Sequence, residues 1–185
     1  MTEIQNHTIR FYWPAAELLR EVCRATAYDV RTLSDEKGQP LADRYALTED
    51  ERPFVEAAAA EALRSLLQQF RRIVPDGCAV ETGDGVYALT VAAREDTNGR
   101  PLYGTAELAA ADGVARSILC GLVLRDWFLS VHLADMAAVY VQRVQGWRAE
   151  LSRLLFRLYR PAARASVSVA EPEREYRLDS GEIER

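Results

Sequence analysis

Apolar positions along most of this chain recur in steps of three and four, the spacing that places side chains on one face of an α-helix. Leu18, Leu19, Val22, Cys23 and Thr26 carry that pattern after Pro14. A proline costs nothing in a first helical turn, so a helix is expected from about Pro14 to Tyr28. Thr48-Glu49-Asp50-Glu51 has the spacing of a capping box and predicts a second helix start. Ala59, Leu63, Leu66, Phe70 and Ile73 continue that helix until Pro75-Asp76-Gly77 stops it. A third helix is expected from near Thr105, with Leu108, Ala111, Ala115, Ile118, Leu122 and Leu129 along one side. Its apolar content is wide, as in a helix buried on more than one face.

The most sustained signal comes next. Leu133, Ala137, Tyr140, Val144, Trp147, Leu151, Leu154 and Leu158 alternate steps of four and three, a heptad seam that needs a long partner surface. A tight turn at Ser130-Val131-His132 separates this fourth helix from the third, since one helix from about 105 to 160 would exceed ordinary globular length. The β-like segment is Cys78–Thr82 and Val86–Val91 around Gly83-Asp84-Gly85, a hairpin pattern. Residues 1–12 read as a polar lead, and the segment from Ser166 as a charged tail. The expected fold is mainly α: a bundle of about four helices in one domain over residues 1–164. It carries a small β-hairpin insertion near residues 78–92 and an extended C-terminal tail over 165–185.

The chain has 185 residues, 49% of them hydrophobic, enough for a sizeable core in one domain. The formal charge of −5 argues against a protein that coats nucleic acid with its whole surface. Cations are concentrated late in the sequence. Between residues 143 and 164 lie six arginines against Glu150 alone. Arg153, Arg157, Arg160 and Arg164 step by four and three, which sets them in a stripe beside the apolar seam. Such a stripe is either a docking surface for phosphate or an acidic partner, or a solvated face whose arginines complement the helix dipole.

Catalytic and metal chemistry find little material. His7 and His132 are the only histidines, and Cys23, Cys78 and Cys120 form neither a CxxC pair nor a Cys/His cluster. Reduced, buried thiols are the plainer reading. Ser130, His132 and Asp135 fall within one turn and do not make a triad, whose members must converge on a held nucleophile. Gly83-Asp84-Gly85 lacks the pattern of a phosphate loop. Trp127, Phe128, Trp147, Phe156 and Tyr159 fit packing better than a ligand cage. Arg125 and Asp126 interrupt the most apolar stretch, Ile118 to Leu133, so no membrane span is expected. The residues Met1 to Asn6 have neither the basic nor the apolar region of a secretion signal. No enzyme activity, cofactor or metal is expected.

The order of elements, with Asp126-Trp127-Phe128 closing one helix and Leu158-Tyr159-Arg160-Pro161-Ala162 closing the next, resembles small helical neck proteins of phages and prophages of gut Bacteroidetes. These are head–tail connectors, and the likeness spans about residues 47–164. The resemblance implies a non-enzymatic virion component, made in the bacterial cytoplasm. Its partners would be further copies of itself in a ring and the portal and tail proteins on either side, reached by helix packing and terminal arms. It also leaves open a non-specific contact with DNA in the ring's channel. On this reading Arg153, Arg157, Arg160 and Arg164 are the partner-binding stripe. Leu133, Tyr140, Val144, Trp147, Leu151, Leu154 and Leu158 are the packing seam. The alternative is a cytoplasmic helical-bundle dimer with a partner-binding or regulatory role, self-associating through that seam.

Overall fold

A computed structural model describes residues 2–5, 8–34, 37–74, 78–83, 85–93 and 104–159. The chain is mainly helical and carries a small antiparallel sheet. Strands β1 (Thr2–Gln5) and β2 (Thr8–Pro14) lead into helix α1 (Ala15–Val30), with a single helical turn α2 (Ala42–Tyr45) after it. A 3-10 turn at Glu49–Glu51 opens α3 (Arg52–Arg71), followed by the hairpin β3 (Ala79–Gly83) and β4 (Val86–Ala92). Two long helices finish the described chain, α4 (Thr105–Ser130) and α5 (Ala134–Tyr159). The tail at 165–185, Arg160 and Arg164 lie outside the described residues, as does His7.

The polar lead corrects an expectation. The hairpin near 78–92 forms, but it is half of a four-stranded sheet in the order β1-β2-β4-β3, and residues 2–5 and 8–14 supply the other half. The physical reason is an alternation that polar neighbours conceal. Ile9, Phe11 and Trp13 are buried while Arg10 is exposed, the period of two that a half-covered strand requires. In register with them on β4 stand Val91, Leu89 and Tyr87, also buried. This face packs on α3, where the Phe11 and Phe70 rings lie 5.7 Å apart. Pro14 ends β2 in an extended conformation and is the residue before α1, not part of its first turn.

Local chemistry fixes the helix ends. The Thr48 N–H donates to the Glu51 carboxylate at 2.8 Å and the Asp50 N–H donates to the Thr48 hydroxyl at 3.3 Å, so the capping box closes on the 3-10 turn. The Thr48 hydroxyl also donates to the Glu51 carboxylate at 2.6 Å, and that bond, followed by the one from the Thr48 N–H, holds the Glu51 carboxyl below its ordinary value. The expected turn between the long helices is present. His132 sits at φ 62°, its N–H donates to the Leu129 carbonyl, and the Leu133 N–H donates to the Phe128 carbonyl. This is a Schellman motif built on histidine where glycine is usual.

The core joins the sheet, α3 and α4, with α1 and α5 as covers. Thr26, fully buried, ties α1 to the following loop: its hydroxyl accepts from the Leu47 N–H at 3.0 Å. Trp127 does the same from α4. Its indole N–H donates to the Tyr45 carbonyl at 2.9 Å, and its ring meets Phe54 edge-on at 5.4 Å. Leu129, expected on the buried side of that helix, is 52% exposed, and Phe128 takes the inward position.

Candidate interaction surface

The seam lies against α4 within the same chain. Ala137, Tyr140, Val144, Leu151 and Leu155 are buried, and Leu133 and Trp147 are half-buried. Tyr140 stacks on Phe128 at 5.7 Å, and its hydroxyl donates to the Asp29 carboxylate on α1. Burial and that carboxylate push the phenol's pKa up. At the C-terminal end the inward position passes to Leu155, and Leu154 is only half-buried. A helix of 3.6 residues per turn drifts off a strict heptad, which brings Leu155 inward in place of Leu154. The Leu158 side chain is outside the described residues.

One contact controls how closely α5 approaches, and the apolar pattern did not announce it. A Cβ built on Gly121 of α4 would stand 2.7 Å from the Trp147 ring and 2.8 Å from a Val144 methyl. Gly121 is therefore the recess into which α5 seats. The only sequence signal is a glycine inside a strongly helical run, one of two in α4.

The rest of α5 faces outward. Arg143, Arg153 and Arg157 are exposed, as are Val139, Val141 and Phe156, the last at 65%. Of the predicted stripe, the structure thus sets Arg153 and Arg157 on the surface near the helix end. At the same end of the bundle, α3 closes with exposed Arg71 and Arg72. Between α3 and α5 runs a groove of about 470 Å³, lined by Gln69, Arg72, Ile73, Arg148, Ser152 and Phe156 among others.

Arg148 lines that groove. It donates to the Ser65 hydroxyl at 2.6 Å, and Gln69 donates to the Arg148 carbonyl at 2.7 Å. No carboxylate pairs with its guanidinium among the described residues, and its Nε is buried without a hydrogen-bond partner, as is Gln69 Oε1. Burial, and then the charges of Arg125 and Arg72, hold its pKa below the ordinary guanidinium value. Arg125 itself pairs with the adjacent Asp126 at 2.6 Å.

The opposite end of α3 is acidic: Glu49, Asp50 and Glu56 are exposed there. The helix has 20 residues, so the acidic and basic ends stand about 30 Å apart. Arg116 on α4 bonds Glu21 and Glu17 of α1, at 2.7 and 3.6 Å, which joins two helices at the surface. Cys23, Cys78 and Cys120 are free thiols, and burial raises the pKa of Cys120. Among the described residues no cluster of His, Cys, Asp or Glu can hold a metal ion, and no helix is long and apolar enough to cross a membrane. Ser130, His132 and Asp135 form the helix turn; Ser130 donates to the Trp127 carbonyl. No known protein family, curated protein or solved structure matches the chain.

Proposed function

We propose that this chain is a non-enzymatic assembly protein of a phage particle, a head–tail connector that joins copies of itself into a ring between portal and tail. The observation that carries the reading is the outer face of α5. One stripe of a 26-residue helix is buried, and the other side offers Arg153, Arg157, Val139, Val141 and Phe156 to a partner. A mixed apolar and arginine surface is the usual composition of a protein interface. The separated charges add a direction. With cations at one end and Glu49, Asp50 and Glu56 at the other, unlike ends attract when copies meet head to tail. Heterologous contacts of that kind close into rings when the rotation permits.

The seam-driven dimer loses its surface, since α4 already covers Tyr140, Val144 and Leu151 within one chain. The test is the mass of the full chain by light scattering over a dilution series, alone and with the portal ring encoded in the same phage genome. A monomer alone and a ring-sized complex with portal is the expected result. Replacing Arg153, Arg157 and Arg160 by Gln weakens that complex by about tenfold or more while the monomer stays folded. A dimer that survives dilution and ignores the portal overturns the reading.

A further inference from the structure

The α3–α5 groove holds a cation that the described chain does not neutralise. A half-buried guanidinium without a carboxylate is costly, and it is costlier beside two more arginines. The groove is also lined by Arg72, exposed at the end of α3, so two guanidinium groups border it. Phe156 and Ile73 add an apolar wall. A fitting occupant has carboxylates interleaved with apolar side chains.

The sequence after α5 has that chemistry. Residues 165–185 contain six acids against three arginines, with Tyr176 and Leu178 among them: Glu171-Pro172-Glu173-Arg174-Glu175-Tyr176-Arg177-Leu178-Asp179. Distance permits the return. Arg148 lies 11 residues before Tyr159, the end of α5, or about 16 Å along the helix. Glu171 lies 12 residues beyond Tyr159, a span of up to about 40 Å when extended. A segment tethered this closely meets the groove at an effective concentration near about 1 mM, far above that of any second chain in solution.

We propose that the acidic stretch 171–179 of the same chain seats in the α3–α5 groove, with a carboxylate of Glu173 or Glu175 on Arg148 and Arg72 and the Tyr176 ring against Phe156. This goes beyond the connector reading and does not rest on it. The arginines it engages face the groove, whereas Arg153 and Arg157 stay available to a partner.

The test uses the full chain with Tyr176 replaced by photoreactive benzoylphenylalanine, irradiated alone and mapped by mass spectrometry. The expected products are monomers cross-linked to residues 68–73 or 148–156, with a yield that does not change on dilution. Arg72→Gln with Arg148→Gln lowers that yield by about tenfold. Glu173→Lys with Glu175→Lys lowers it equally and leaves α3 and α5 untouched, so a folding defect in the arginine variant does not decide the matter. Cross-links that fall elsewhere, cross-links between two chains that vanish on dilution, or a yield indifferent to the tail charges each overturn the proposal. None of these readings involves the portal, so failure here leaves the connector reading standing, and the reverse.

Discussion

Helices α4 and α5 are both 26 residues long, yet α4 is enclosed on most sides and α5 along one. Residues Ile118 to Leu124 of α4 are all buried, a run without any helical face. On α5 the buried positions are Ala137, Tyr140, Val144, Leu151 and Leu155, a stripe with exposed arginines beside it. A helix that is apolar all round takes its orientation from its neighbours. A striped helix brings its orientation with it. So α4 serves as the axis on which α1, α3 and α5 pack, and α5 is the element that leaves one side exposed among the described residues.

The largest test of that contrast compares two adjacent turns of α5. Leu151→Ala removes a fully buried side chain and should destabilise the chain by about 2–5 kcal/mol in denaturant unfolding. Leu154→Ala, half-buried, should cost about 1 kcal/mol or less. Equal losses at the two positions would mean that both leucines are enclosed and that α5 has no outward face at this level.

Gly121 gives the next effect. An alanine in a helix interior ordinarily gains about 1 kcal/mol over glycine. Here its methyl would meet the Trp147 ring and a Val144 methyl below 3 Å, and one of them must move. Gly121→Ala should therefore lower stability by about 1–3 kcal/mol. Combining it with Trp147→Leu should recover part of the loss, a coupling that unfolding of the double variant measures. A stabilised single variant would show that α5 does not seat in this recess.

What the sequence disclosed of this arrangement follows from how local each signal is. The capping box at Thr48, the β3–β4 hairpin and the α4–α5 turn are written in neighbouring residues. The seam was legible through Leu151, because its period repeats over many turns. It then failed by one position, at Leu154 and Leu155, where the drift of a helix with 3.6 residues per turn outruns a heptad. Ile9, Phe11 and Trp13 were missed because three inward residues with polar neighbours make a short pattern, and the helical signal at Leu18 and Leu19 begins soon after. The groove was out of reach. Arg148 and Ser65 are 83 positions apart, and nothing in either segment says that the other supplies an uncharged neighbour to a guanidinium. Arg153 and Arg157 were legible as a stripe, yet spacing alone could not say which arginines face a groove and which face outward.

The smallest effect lies at the joint between the two helices. His132 holds a left-handed backbone, which costs a residue with a Cβ about 1 kcal/mol, while the two Schellman bonds need only the backbone. Among the described residues its side chain has no hydrogen-bond partner that would offset the strain. Glycine removes that strain but gives the unfolded chain more freedom, so the two terms oppose. The strain is the larger, and His132→Gly should stabilise the chain by about 0.5–1 kcal/mol, or roughly 1–4 °C in melting temperature for a chain of this size. His132→Val, which tolerates this conformation worst, should shift the melt the other way. If both substitutions left the melting temperature unchanged, the joint would not be under backbone strain, and α4 and α5 would be held at their angle by the Gly121 contact and the seam alone.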